Sequence, residues 1–144
     1  MERKKIVVDA SIVVKWFLIE EYSDKAIELR NDYIKGLFII AVPSLLKYEV
    51  LNALKYSGVY SIEELIEIGL ALNKYGFEIY ELDHELKRYS IELSILNNIT
   101  IYDASYIALA KYLGTMLYTA DHELISKFPD IAIPIKKYSR SYDS

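Results

Sequence analysis

The sequence predicts an α/β protein built on an open parallel sheet of four to five strands. Three observations carry that reading. Short, β-branched apolar runs alternate with longer stretches of helical period, the pattern of strands joined by helical crossovers. Caps and helix-stopping glycines punctuate those stretches where elements should begin and end. The chain's 144 residues are 53% hydrophobic and 26% charged, with mean hydropathy +0.12. That is enough to bury one real core and too apolar for a disordered chain.

The elements follow in order. Lys5–Val8 is short, β-branched and followed at once by Asp9, and reads as a buried strand. Residues 10–18 read as a short helix. A second helix is expected from Ser23, a good N-cap, to about Lys35, stopped by Gly36. Leu37–Val42 is the second strand, and Pro43-Ser44 is read as opening a helix that ends near Ser57-Gly58. Ser61-Ile62-Glu63-Glu64 is a capping box for a helix running to Tyr75-Gly76. Phe77–Leu82 is the third strand, and Asp83 caps a helix to about Asn97. Another helix is expected from near Asp103 to Gly114, then a fourth strand over Thr115–Thr119. Asp121 opens a short helix, and Ile131–Ile135 is the candidate fifth strand. No linker, repeat or low-complexity stretch divides the chain. One domain over 1–144 is expected, with a core of about 5–135 and a basic tail over 136–144.

Composition narrows the chemistry. With no cysteine, disulfide scaffolds, thiol nucleophiles and thiolate metal sites are excluded. Two histidines argue against a histidine-built metal site. The net charge of −4 and pI near 5.2 argue against a protein that holds nucleic acid by bulk phosphate neutralisation. They leave room for an enzyme that makes a few phosphate contacts and commits several acids to a metal. The apolar run at Leu37–Val42 is far short of the ~18–20 residues of a membrane span. The charged start runs directly into a strand with no signal-peptide core, so a cytoplasmic protein is expected.

In such a sheet, ligands bind outside the carboxyl ends of the strands. Asp9 and Asp121 fall at that edge, although each also fits a helix cap. Glu49 shares its helix sector with Leu45 and Ala53, beside Leu46 and Val50, while Lys47 and Lys55 point away. A carboxylate among apolar neighbours requires a cation, a metal or strong donors. Asp103 opens a helix that is small or apolar nearly all round, which brings it close to the sheet edge; Thr100-Ile101-Tyr102-Asp103 also fits a capping box. Four such carboxylates need a counter-charge, and Mg²⁺ or Mn²⁺ suits an all-oxygen site. The chemistry that site performs best is metal-assisted attack of water on a phosphodiester.

Rival sites lack their parts. There is no glycine-rich phosphate loop, and the partner acid of a haloacid-dehalogenase-like phosphatase is replaced by Ser11. His84 and His122 read as surface residues, with a phosphate contact open to His122. Lys15 reads as a solvated surface lysine, with a phosphate contact as its alternative. Packing is the default for the many tyrosines, among them Tyr48, Tyr102 and Tyr106, with base stacking as the alternative. Arg3, Lys4, Lys5, Lys136, Lys137 and Arg140 concentrate positive charge at the termini, either for a phosphodiester substrate or for solubility.

Ile6-Val7-Val8-Asp9-Ala10-Ser11, then Pro43-Ser44-Leu45-Leu46-Lys47-Tyr48-Glu49, then Tyr102-Asp103-Ala104-Ser105-Tyr106, then Leu117-Tyr118-Thr119-Ala120-Asp121 resemble the PIN-domain family in order and spacing. The length looks most like a VapC-type toxin of a toxin–antitoxin pair. The resemblance implies a three-layer α/β/α fold and a Mg²⁺- or Mn²⁺-dependent endoribonuclease. It carries metal and catalytic roles onto Asp9, Glu49, Asp103 and Asp121, and supporting hydroxyl roles onto Ser11 and Thr119. A homodimer and an antitoxin partner are implied as well. A housekeeping PIN nuclease, an inert binding module of the same fold and a phosphatase of small substrates remain the competing readings.

Overall fold

The computed structural model describes residues 3–140; positions 1–2 and 141–144, the end of the basic tail included, lie outside the described residues. The strands are β1 (Lys5–Val8), β2 (Ile39–Pro43), β3 (Glu78–Tyr80), β4 (Leu117–Thr119) and β5 (Ala132–Pro134). The helices are α1 (Ala10–Val14), α2 (Ser23–Ile34), α3 (Leu46–Ser57), α4 (Ile62–Lys74), α5 (His84–Asn97), α6 (Ile101–Leu113) and α7 (His122–Lys127). All strand pairs are parallel, in the order β3-β2-β1-β4-β5. The expected sheet therefore forms with all five strands, flanked by helices in an α/β/α arrangement.

The order explains the composition of each strand. β1 lies at the centre, paired with β2 and β4, and its Ile6, Val7 and Val8 are buried on both faces. β3 is an edge strand and is half-exposed. α6 packs on β1, β2 and β4 while α5 covers its other side, so every residue from Ala104 to Ala110 is buried. An apolar stripe all round a helix is what that double coverage requires.

Several boundaries differ from expectation. α1 ends at Val14 instead of 18, because residues 15–17 bond back three residues and turn the chain sharply. That turn seats Trp16, whose indole N–H donates to the Ala26 carbonyl at 2.9 Å. Ser23 is not the cap of α2: Tyr22 holds that place in left-handed conformation (φ 63°). The Ser23 hydroxyl instead ties the preceding loop, donating to Leu18 O and accepting from Glu20 N–H. Pro43 ends β2 rather than opening α3. α6 starts at Ile101, because Thr100 caps it by accepting from Asp103 N–H at 3.0 Å. The capping box at Ser61 and Glu64 forms with both bonds, and Asp83 caps α5 as expected.

A short 3₁₀ turn over Ile135–Lys137 follows β5 and leads to a fastening outside the expected strands. Asp32, only 1% exposed, accepts a bond from Tyr138 Oη at 2.7 Å and from the Arg140 guanidinium. Burial alone draws the Asp32 carboxyl up, but the bonds from Arg140 and Tyr138 outweigh it and hold the group below its usual range. Asp32→Ala removes the carboxylate that Tyr138 Oη and the Arg140 guanidinium both bond. It is expected to cost about 2 kcal/mol at pH 7, read as a lower urea midpoint with unchanged slope. The difference from wild type should shrink as pH falls through the unfolded carboxylate value near 4 and below, where Asp32 is protonated.

Candidate active site

The site is built outward from Asp9. β1 delivers this residue at the carboxyl edge of the sheet in extended conformation, where it caps α1. One carboxylate oxygen accepts the Ser11 N–H at 3.1 Å and the Ser11 hydroxyl; the other accepts the Thr119 hydroxyl. Each hydroxyl in turn accepts a backbone N–H from the turn after β4, Ala120 N–H on Ser11 and Asp121 N–H on Thr119, both at 3.0 Å. Asp9 is thus held by two hydroxyls that bridge the ends of β1 and β4. Burial raises its carboxyl to about 7; the Ser11 and Thr119 bonds oppose that rise, and the charges of Asp103 and Asp121 add to it.

Glu49 lies half-buried on the first turn of α3, above the buried Leu46, Val50 and Leu54. The donor that makes it tolerable there is Tyr106 of α6, whose hydroxyl lies 2.6 Å from Oε1. Burial pushes the Glu49 carboxyl up, Tyr106 draws it back, and Asp103 raises it again. Tyr106 is 1% exposed, and its hydroxyl is driven far above its usual range by burial and by Glu49, Asp9 and Asp103. Packing was the default for this tyrosine, and it is packed, yet it also serves the site. The available signal was its position three residues after Asp103, on the same face of one helix.

Asp103 is the electrostatic hub. Its carboxyl is raised by burial first and then by Asp121, relieved by the Thr100 hydroxyl and raised again by Glu123. Asp121 caps α7, accepting Glu123 N–H at 2.9 Å and Leu124 N–H at 3.3 Å. Capping and membership of the acidic group are therefore both true of Asp9 and Asp121. Glu123 is an acid missed from the sequence; it is exposed and pairs with Lys127 at 3.4 Å.

The structure thus brings Asp9, Asp103 and Asp121 within range of one another's charge, and Glu49 within range of Asp103. Among the described residues, however, no three acids or histidines stand close enough to close on a single ion. The carboxylates of Asp9 and Asp121 are turned toward their hydroxyl and backbone donors. The donor set is all oxygen, and three of its members are held above their ordinary range, by burial first and by neighbouring carboxylates after it; a hard divalent cation relieves that kind of crowding.

Other expectations resolve around this centre. Lys15 is not a solvated lysine: it is 8% exposed, with Nζ 3.5 Å from Glu20 Oε1. Its stem is buried because the sharp turn after α1 folds it inward. His84 and His122 are exposed as expected. Tyr48 and Tyr102 are exposed rather than packed and line a groove with Glu49, because both lie on the outer faces of their helices. Of the terminal cations, Lys5 pairs with Glu78 at 2.7 Å and Arg140 with Asp32.

Comparison with known proteins agrees with this fold. The sequence model of the PIN domain matches residues 6–131. Ribonuclease VapC3 of Pyrobaculum aerophilum is 31% identical over 140 residues, covering 90% of this chain and 99% of its own. A crystal structure from the same organism superposes with a TM-score of 0.62 at 26% identity, covering 94% of this chain and 93% of that one. A toxin–antitoxin complex from Klebsiella pneumoniae shares the fold at TM-score 0.66 and 17% identity, over 90% of this chain and 97% of that one. With the PIN-domain model matched over residues 6–131 and a relative at 31% identity over nearly its whole length, this chain belongs to the PIN-domain family.

Proposed function

We propose that the chain is a divalent-metal-dependent endoribonuclease that hydrolyses RNA phosphodiester bonds, and that it is the toxin of a toxin–antitoxin pair. The observation that carries the reading is Asp9: a buried carboxylate, gripped by two hydroxyls and crowded by Asp103 and Asp121, at the ligand-binding edge of a PIN fold. The relative at 31% identity, named a ribonuclease, supports the substrate.

Asp9 and Asp103 would be the principal residues to hold Mg²⁺ or Mn²⁺, and Glu49 and Asp121 would assist in holding it or would orient the attacking water. Ser11 and Thr119 position Asp9, and Tyr106 positions Glu49. When bound, the ion supplies the charge that activates water and steadies the leaving oxygen. The exposed Tyr48 and Tyr102 line a groove with Glu49 and offer stacking faces to unpaired bases. The protein acts as one domain in the cytoplasm; among the described residues no helix is long and apolar enough to cross a membrane.

An antitoxin and a second copy of the chain are the proposed protein partners. Ile62, Ile66 and Leu70, spaced four apart on α4, form an exposed apolar stripe of the kind that binds another chain. The Klebsiella neighbour is a toxin–antitoxin complex.

The test is cleavage of a structured RNA pool with Mn²⁺ or with EDTA, beside Asp103→Asn. Cutting should require the metal and fall by at least about 100-fold in the variant, with the fold unchanged. Cutting that ignores EDTA and the substitution alike would sink the proposal.

A further inference from the structure

Lys15 lies in surroundings that packing does not explain. It directly follows α1, the helix capped by Asp9, and its side chain is only 9% exposed, yet it meets a single carboxylate oxygen at the loose distance of 3.5 Å. Glu20, which supplies that oxygen, is 43% exposed at its side chain and is free to turn to solvent. An ammonium carries three donors, so most of the hydrogen-bonding capacity of Lys15 is open. A buried cation so weakly held is costly unless something else completes it.

The space beside it is a cavity of about 260 Å³. Lys136 and His122 also line it, both on exposed stretches of chain, and Glu21 is its acidic member. Ile125 and Pro134 give it an apolar wall. Its inner side includes Thr119, the residue whose hydroxyl grips Asp9, so the cavity adjoins the acidic centre without sharing its carboxylates. A cationic anchor, an apolar wall and room for about one nucleotide describe a site for a phosphate with its nucleoside attached.

We infer that this cavity is a phosphate subsite for the RNA strand beside the scissile bond, with Lys15 as its anchor and Glu20 as the counter-ion that a phosphate displaces. The inference rests on the ribonuclease reading and names where its substrate is held. Its position fits the charge balance: the acidic centre repels a phosphodiester, and a cation one step along the strand offsets that repulsion.

The test is a titration of the ¹⁵N-labelled protein in EDTA with uridine 3′-monophosphate, uridine and inorganic phosphate, followed by NMR. The nucleotide should shift the amides of Ala120, His122 and Ile125 in the wild type. Lys15→Met, which keeps the apolar stem, should weaken its binding at least tenfold, whereas Glu20→Gln should tighten it. A gain in one variant and a loss in the other cannot both come from misfolding. Unchanged affinity in Lys15→Met, or uridine binding as well as its phosphate, would overturn the subsite. Inorganic phosphate binding as tightly as the nucleotide would overturn its assignment to an RNA strand. In a parallel Mn²⁺ cleavage assay, Lys15→Met should raise KM with little change in kcat. Failure of the wild type to cut RNA would count against the ribonuclease reading alone, since the titration in EDTA needs no turnover.

Discussion

Asp9→Asn is expected to abolish RNA cleavage and at the same time to raise the melting temperature of the metal-free protein at pH 8. The two effects share one cause. Unfolded, Asp9 releases its proton near its ordinary value of 3.8; folded and buried, it holds that proton up to about 7. Between those values the unfolded state binds fewer protons than the native one, so stability falls as pH rises through that window. At about 1.36 kcal/mol per unit the loss approaches about 4 kcal/mol above pH 7. Asparagine cannot ionise and escapes it. The amide keeps the helix cap, since Asn and Asp cap equally well, but reverses one hydroxyl bond at roughly 1 kcal/mol. A net gain of about 3 kcal/mol corresponds to about 10 °C for a chain of this size. Thermal melts in EDTA at pH 8 and pH 4 check it: the gain should be present at the first and gone at the second. A lower melting temperature at pH 8 would mean that Asp9 is a structural cap whose charge the fold needs.

Thr119→Val should act in the opposite sense at the same pH. Valine matches the shape of threonine but strips Asp9 of one donor and Asp121 N–H of its acceptor. The side chain is fully buried, so water does not replace either bond. A loss of about 2 kcal/mol is expected at pH 8. Cleavage should fall about 10- to 100-fold, as for loss of a group that orients a metal ligand. The measurement that separates positioning from mere destabilisation is the pH–rate profile. The Thr119 hydroxyl lowers the Asp9 carboxyl, so its removal should move the acid limb of the profile to higher pH, and Thr119→Ser should restore it. An unmoved profile with reduced stability would leave Thr119 a packing residue.

Strands and caps were legible in the chain because they depend on neighbours a few residues apart. Ile6–Val8 runs apolar because β1 is covered on both faces, and Asp83 and Ser61 each bond a backbone N–H three residues on. The same locality misplaced ends: Ser23 has the chemistry of a cap, yet Leu18 and Glu20 engage it first. Resemblance, rather than spacing, pointed to the hydroxyls of Ser11 and Thr119.

The sequence by itself determined the α/β alternation, the carboxylates at the strand ends and the family, since each resides in local pattern. Only the tertiary structure decided what those carboxylates meet. Tyr106 reaches Glu49 across 57 positions and Thr119 reaches Asp9 across 110, and no periodicity encodes a partner at that separation. Lys15 follows the same logic: its type predicts solvent, and the turn that seats Trp16 buries it instead. Local order is set by backbone bonding and capping, whereas the charge state of a buried group is set by whatever the completed fold packs against it.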